Sequence, residues 1–172
     1  YEVGSIPLFE SETILQGDEG RIQQQSGDLL GYALAVGDFD GDGLEDLALS
    51  APGRKTPALS AHGEVYVLRG IGERRVDATN RYNIGEIASV SFFSLHPHAR
   101  LGIDLAAGDV DGDGVDDLVM GSTASDYRGG AIYVAFGGAA FFEPDAALES
   151  RFNLDGDIVP GSIPDHIVAC TV

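Results

Sequence analysis

The sequence predicts an all-β protein assembled from tandem four-stranded units. Three observations carry that expectation: a repeat with a spacing of 71 residues, short apolar runs bounded by glycine, and no stretch with the periodicity of a long helix. Laid over itself at that offset, the chain aligns GDFDGDGLEDLALSAP from Gly37 with GDVDGDGVDDLVMGST from Gly108. Leu30-Gly31 falls on Leu101-Gly102, Leu34-Ala35 on Leu105-Ala106, and Leu47 on Leu118. Further on the register slips by four residues, so Gly63-Glu64-Val65-Tyr66-Val67 corresponds to Gly130-Ala131-Ile132-Tyr133-Val134, and a shorter loop in the second copy accounts for the slip.

Taken in order, the first element is Thr13 to Gln16, which can supply an outer strand to a neighbouring unit. The first copy then reads as strands over Gly31 to Val36, Asp46 to Ser50, Gly63 to Leu68 and Arg81 to Ile84. The second reads as Gly102 to Ala107, Asp117 to Gly121, Gly130 to Phe136 and Arg151 to Leu154. The leading strands of each copy are nearly continuous runs of small and branched apolar residues, as expected where both faces are covered. Apolar residues ending in glycine recur at Ile14 to Gly17, Tyr82 to Gly85 and Phe152 to Gly156. The expected organisation is an N-terminal segment over 1–29, one unit over 30–85, a second over 86–156 with a leading loop, and the start of a third repeat or a tail over 157–172. Four short antiparallel strands per repeat with glycine at the turns fit the blade of a β-propeller, whose blades bury their faces against one another. An ordinary sandwich is the competing architecture.

Composition narrows the partners. With 28 Asp and Glu against 10 Lys and Arg the formal charge is -18, which argues against nucleic acid and towards cations. Glycine, at 24 of 172 residues, is roughly twice its usual share of about 7%, while 44% of the chain is apolar, the signature of a turn-rich globular protein. Cys170 is the one cysteine, so an internal disulfide is excluded. No run approaches the roughly 18 to 20 apolar residues that cross a bilayer, so direct membrane insertion is not expected.

The acidic residues are concentrated in two matching loops. Asp38, Asp40, Asp42 and Asp46 stand at loop positions 1, 3, 5 and 9 with Gly43 at position 6, and Asp109, Asp111, Asp113 and Asp117 repeat the pattern with Gly114. Crowded carboxylates repel unless a counter-charge sits among them, and an oxygen-only set suits Ca²⁺, whereas Zn²⁺ asks for His or Cys. Two Ca²⁺ sites are expected. Gly43 and Gly114 would make the sharp turn. By analogy with other Asp-rich calcium loops, the carbonyls of Leu44 and Val115 would be the position 7 ligands. Glu45 and Asp116 are expected to point outward. An EF-hand is excluded because position 12, its bidentate Glu, is Leu49 in one copy and Met120 in the other, and because strands flank the loops. A solvated acidic turn, the competing reading, leaves the matching glycine and ninth-position aspartate unexplained.

No GxSxG, CxxC, HExxH or phosphate-binding glycine loop is present, so the chain itself is expected not to be an enzyme. His96-Pro97-His98 is the one candidate transition-metal cluster, since alternate residues of an extended segment share a face. Two ligands without a third favour an ordinary surface loop.

On these residues both copies resemble the FG-GAP repeat of integrin α-subunit propellers. Leu30-Gly31 and Leu101-Gly102 look like its "FG" element, Ser50-Ala51-Pro52 like its "GAP" element, and the aspartate loops like its calcium-binding hairpin. The second copy departs at Gly121-Ser122-Thr123, which lacks the proline. The resemblance implies a seven-bladed propeller of on the order of 500 residues, so further blades in the same chain or by oligomerisation. It also implies a structural role for calcium, an extracellular or cell-surface setting, and adhesion or ligand binding to a protein or glycan. Recognition loops would then be Gly53 to His62, Glu86 to Arg100 and Thr123 to Gly129. Similar repeats occur in glycosylphosphatidylinositol-specific phospholipase D, which implies the alternative of a non-catalytic accessory propeller in a secreted hydrolase.

Overall fold

A computed structural model of the chain describes residues 14–16, 27–56, 60–70, 81–123, 129–142, 151–153 and 167–171. In chain order the elements are β1 (Ile14–Gln16), β2 (Leu34–Gly37), β3 (Asp46–Ala51), β4 (Glu64–Leu68), β5 (Arg81–Asn83), a helical turn α1 (Ile84–Ile87), β6 (Val90–Phe93), β7 (Leu105–Gly108), β8 (Asp117–Ser122), β9 (Ala131–Ala135), β10 (Arg151–Asn153) and β11 (Ile167–Thr171). Strands β2, β3, β4 and β6 form one antiparallel meander, and β7, β8, β9 and β11 form another. The protein is therefore all-β, built of propeller blades.

The first three strands of each blade lie where the sequence places them, to within a few residues at their ends. The fourth does not. Arg81 to Ile84 is not the outer strand of the first blade: β5 pairs in parallel with β1, and the blade is completed by β6, with Val65 opposite Phe92 and Val67 opposite Val90. The reason is local. Asn83 caps α1, its side-chain oxygen accepting from the Gly85 N–H at 3.0 Å, and this turns the chain away from strand geometry. Chain return is then fixed by the Ser89 N–H donating to the Val67 carbonyl at 2.8 Å. The first blade thus reaches Phe93, past the expected boundary at residue 85. Likewise Arg151 to Leu154 is not the outer strand of the second blade. Strand β10 joins the first sheet in parallel beside β6, and β11, within the expected tail, closes the second. Of the segment expected at Thr13 to Gln16, Ile14–Gln16 is a strand, but it pairs with β5 in a two-stranded sheet of its own rather than at the edge of either blade.

The core lies between the blades. One face of the first sheet, with Ala35, Ala48, Val65, Val67, Val90 and Phe92, packs on one face of the second, with Leu105, Leu118, Met120, Ala131, Tyr133 and Ala135. The opposite face of the first sheet, with Leu49, Tyr66 and Leu68, is covered by Ile84 of α1. Blades stack head to tail, so equivalent residues meet different fates. Leu105 is 9% exposed and its counterpart Leu34 57%; Phe39 is fully buried and its counterpart Val110 60% exposed.

The glycine of each Leu-Gly pair has φ near +80°, at +83° for Gly31 and +82° for Gly102. Gly102 also lies so close to Ser50 and Val65 of the preceding blade that a Cβ would collide with both, whereas nothing approaches Gly31. The Gly31 N–H donates to the Ser50 carbonyl and the Gly102 N–H to the Gly121 carbonyl, at 2.9 and 2.8 Å, so the same closure is repeated. The turn that lacks proline in the second copy is tied down instead by Ser122 and Thr123. The Ser122 hydroxyl donates to the Ala99 carbonyl at 2.8 Å and the Thr123 N–H to the same oxygen at 2.9 Å.

Candidate metal centre

Both aspartate loops are the hairpin turns of their blades, β2 to β3 and β7 to β8. Gly43 and Gly114 turn the chain with φ of +85° and +92°, in the left-handed region that suits glycine. The first carboxylate of each loop organises the turn. Asp38 accepts from the N–H groups of Asp42 and Gly43 at 3.0 and 2.9 Å, and Asp109 accepts from Gly112 and Gly114 at 2.6 and 3.0 Å. Asp40 and Asp42 accept from the N–H two residues on, as do Asp111 and Asp113, a short-range pattern that aspartate makes in turns.

In the first loop Asp38, Asp40 and Asp42 each bring an oxygen within 4.8 Å of the others; in the second the group is Asp109, Asp111 and Asp117. Asp46 and Asp113 fall outside these closest sets. Asp46 is fully buried and holds the base of its hairpin, accepting from Phe39 N–H at 3.0 Å and Gly70 N–H at 2.6 Å. Asp117 does the same with Val110 at 2.7 Å and Gly137 at 2.8 Å. Burial, with the neighbouring charges of Asp40 and Asp42, pushes the Asp46 carboxyl up from 3.8 to about 6 against the pull of those two hydrogen bonds. Leu44 and Val115, expected to offer carbonyls, donate their N–H groups to Asp42 and Asp113 at 2.9 and 2.8 Å.

The donor set fits a hard divalent cation. Each cluster is carboxylate only, and each oxygen that accepts an N–H keeps a second lone pair for an ion. Among the described residues no histidine or cysteine joins either group. His96-Pro97-His98 is not extended: it forms a turn, with His98 at φ +66°, so the two imidazoles do not share a strand face.

Two residues near the loops differ from the sequence expectation or escape it. Glu45 is exposed as expected, but Asp116 is not turned outward. Its carboxylate accepts from the Asp38 N–H and its own N–H donates to the Asp38 carbonyl, both at 3.2 Å, so the second loop clamps the start of the first. Arg69, just past β4, ion-pairs with Asp40 and reaches Asp42 at 3.5 Å. Nothing in the sequence marks Arg69, because the fold alone brings the end of β4 to the hairpin turn. Within the expected recognition loop Glu86 to Arg100, Val90 and Phe92 are core residues of β6. Residues 57–59 and 124–128 of the other two loops lie outside the described residues. Tyr66, repeated as Tyr133, is buried, and burial together with the Glu64 carboxylate raises its hydroxyl pKa, so it stays neutral.

A head-to-tail pair of blades, each with a carboxylate hairpin at the same end, defines a β-propeller module of the repeat type. The chain carries two FG-GAP repeats: the FG-GAP repeat model matches residues 30–68 and 101–135, the two leading hairpins with their third strands. Mouse phosphatidylinositol-glycan-specific phospholipase D is 38% identical over 124 residues, 70% of this chain and 13% of the relative. Its human counterpart is 31% identical over 146 residues, covering 85% of this chain and 16% of the relative. Integrin alpha-PS2 of Drosophila melanogaster is 30% identical over 145 residues, covering 80% and 10%. The chain thus spans a small part of each relative's length. The FG-GAP region is a non-catalytic propeller type, and the phospholipases are matched over a fragment. No described helix is long and apolar enough to cross a membrane.

Proposed function

We propose that this chain is a calcium-binding, integrin-like propeller module serving extracellular adhesion or ligand binding, with Ca²⁺ rigidifying the two hairpins. The observation that carries this reading is the repeated carboxylate-only cluster at the turn of each hairpin. Asp38, Asp40 and Asp42 would hold one ion with Asp46 and the Leu44 carbonyl. Asp109, Asp111 and Asp117 would hold the other with Asp113 and the Val115 carbonyl. The ion supplies positive charge; the chain supplies a turn already shaped by its own N–H to carboxylate bonds. The role is structural. Dissociation constants of about 10⁻⁴ to 10⁻³ M, typical of extracellular modules, are met by the millimolar calcium outside cells, and this supports the extracellular setting.

Head-to-tail stacking supports further blades. Ala106, Val119, Ile132 and Val134 of the second sheet are the counterparts of Ala35, Ala48, Val65 and Val67, which are buried between the blades. A third blade, from the same chain or another copy, would cover that face as the second covers the first. The ligand of the completed propeller would be a protein or a glycan. The second reading, an accessory propeller of a secreted hydrolase, is favoured by the phospholipase relatives and requires a catalytic domain elsewhere in the parent protein.

Calorimetric titration tests the calcium assignment. The chain should bind two ions, and at about 1 mM Ca²⁺ with a dissociation constant near 10⁻⁴ M each should add about 1.4 kcal/mol of stability. Asp42→Ala should remove one ion and lower the melting temperature in calcium. Unchanged stoichiometry and melting would reject the loop assignment.

The pH dependence has a definite sign. Since Asp46 holds its proton up to about pH 6 without an ion, a proton competes with calcium there. Calcium affinity of the first loop should be steady above pH 7 and fall as the pH drops through about 6, by at most tenfold per unit from this one group. Titration of Asp46→Asn, which has no such proton, should show a shallower fall; an equal fall in both proteins would place the competing proton elsewhere.

A further inference from the structure

The two loops match in sequence but not in surroundings. In the first, the Arg69 guanidinium lies against Asp40 and reaches Asp42, and it also lies over the Phe142 ring, 5.6 Å from its carbon to the ring centroid. The Asp40 side chain is 3% exposed, so this arginine is the charge that neutralises it in the absence of an ion. In the second repeat the position equivalent to Arg69 is Phe136, and among the described residues no ion pair reaches Asp109, Asp111 or Asp113.

We propose that Arg69 is a built-in counter-charge of the first loop, which makes the two calcium sites unequal and leaves the second to fill first. This rests on the calcium reading above. A cation entering the first loop must displace the guanidinium from Asp40 and Asp42 and work against its charge, whereas one entering the second meets carboxylates that no cationic side chain among the described residues pairs with. Half of the arginine side chain is solvent-exposed, 51%, so the effect is that of a partly screened ion pair, worth roughly two- to fivefold in affinity. The cation–π contact with Phe142 keeps the guanidinium near the loop rather than free in solvent.

Calorimetric calcium titration of the full chain separates the sites. Asp109→Asn with Asp111→Asn leaves the first loop to be measured; Asp38→Asn with Asp40→Asn leaves the second. The isolated second loop should bind calcium roughly two- to fivefold more tightly than the isolated first. Adding Arg69→Met to the first-loop protein, which keeps the apolar stem and drops the charge, should close that gap, with Arg69→Gln as a second neutral variant. Arg69→Lys should keep affinity low. Calcium binding by both loops with no gain in either neutral variant, or with a loss, overturns this inference alone. No calcium binding by either isolated loop overturns the calcium reading and this inference with it.

Discussion

Replacing Phe39 with alanine should destabilise the chain by about 3 to 5 kcal/mol, whereas the same change at Val110, its counterpart one repeat later, should move stability by no more than about 0.5 kcal/mol. Phe39 stands between Asp38 and Asp40 in the first loop, yet it is fully buried. Its ring stacks on Phe141 at 5.3 Å between centroids, and Phe141 in turn meets Phe92 edge-on at 6.0 Å. The loop is therefore bound to the second blade by an aromatic cluster as well as by the Asp116 clamp, and the Gly138 N–H adds a bond to the Phe39 carbonyl at 2.9 Å. Removing the ring leaves a cavity lined by large side chains that cannot all move in. Val110, by contrast, is 60% exposed among the described residues. Urea denaturation of the two variants in the same calcium buffer measures the difference. Equal effects would mean that the blades do not stack in this order in solution.

A methyl group at Gly63 should be nearly as damaging. Gly63 has φ +81° and lies where the backbone nitrogen and oxygen of Leu101 and the carbonyl carbon of Arg100 would all collide with a Cβ. These neighbours are main chain, held by the Arg100 and Leu101 N–H groups donating to the carbonyls of Ala61 and His62 at 3.0 and 3.2 Å, so they cannot swing aside. Gly31 shares the conformation, with φ +83°, but has nothing nearby. Gly31→Ala should thus cost about 1 to 2 kcal/mol from the left-handed backbone alone, and Gly63→Ala at least about 3 kcal/mol because the connection between blades must also open. Midpoints of urea unfolding report both; a Gly63 variant no worse than the Gly31 one would show that this crossing is not closed in solution.

The aspartate loops were legible because their chemistry is local. Spacing and glycine position fix which carboxylates share a turn, and Asp38, Asp40 and Asp42 do meet. Spacing marks Asp46 and Asp117 as candidate ligands, but their part in bonding Gly70 and Gly137 depends on where the far end of the third strand arrives. Asp116, at position 8 of its loop, is expected from spacing alone to point outward. It is turned in by a neighbouring blade, which the spacing of one loop cannot register. Phe39 carried a signal, a large aromatic among acids, though not the identity of what buries it.

What the sequence determined by itself was the repeated unit, its first three strands and the composition of the two loops, since the alternation of apolar runs, glycine turns and carboxylates acts over a few residues. Tertiary structure alone decided the fourth strand. The run Val90–Phe93 becomes that strand because Asn83 starts a helical turn and the edge of β4 accepts the returning backbone. It also decided which of two equivalent side chains is buried. Near-identical segments differ there only because stacking is directional: each blade offers one face to the next, and the physical environment of a residue depends on the neighbour its own repeat does not encode.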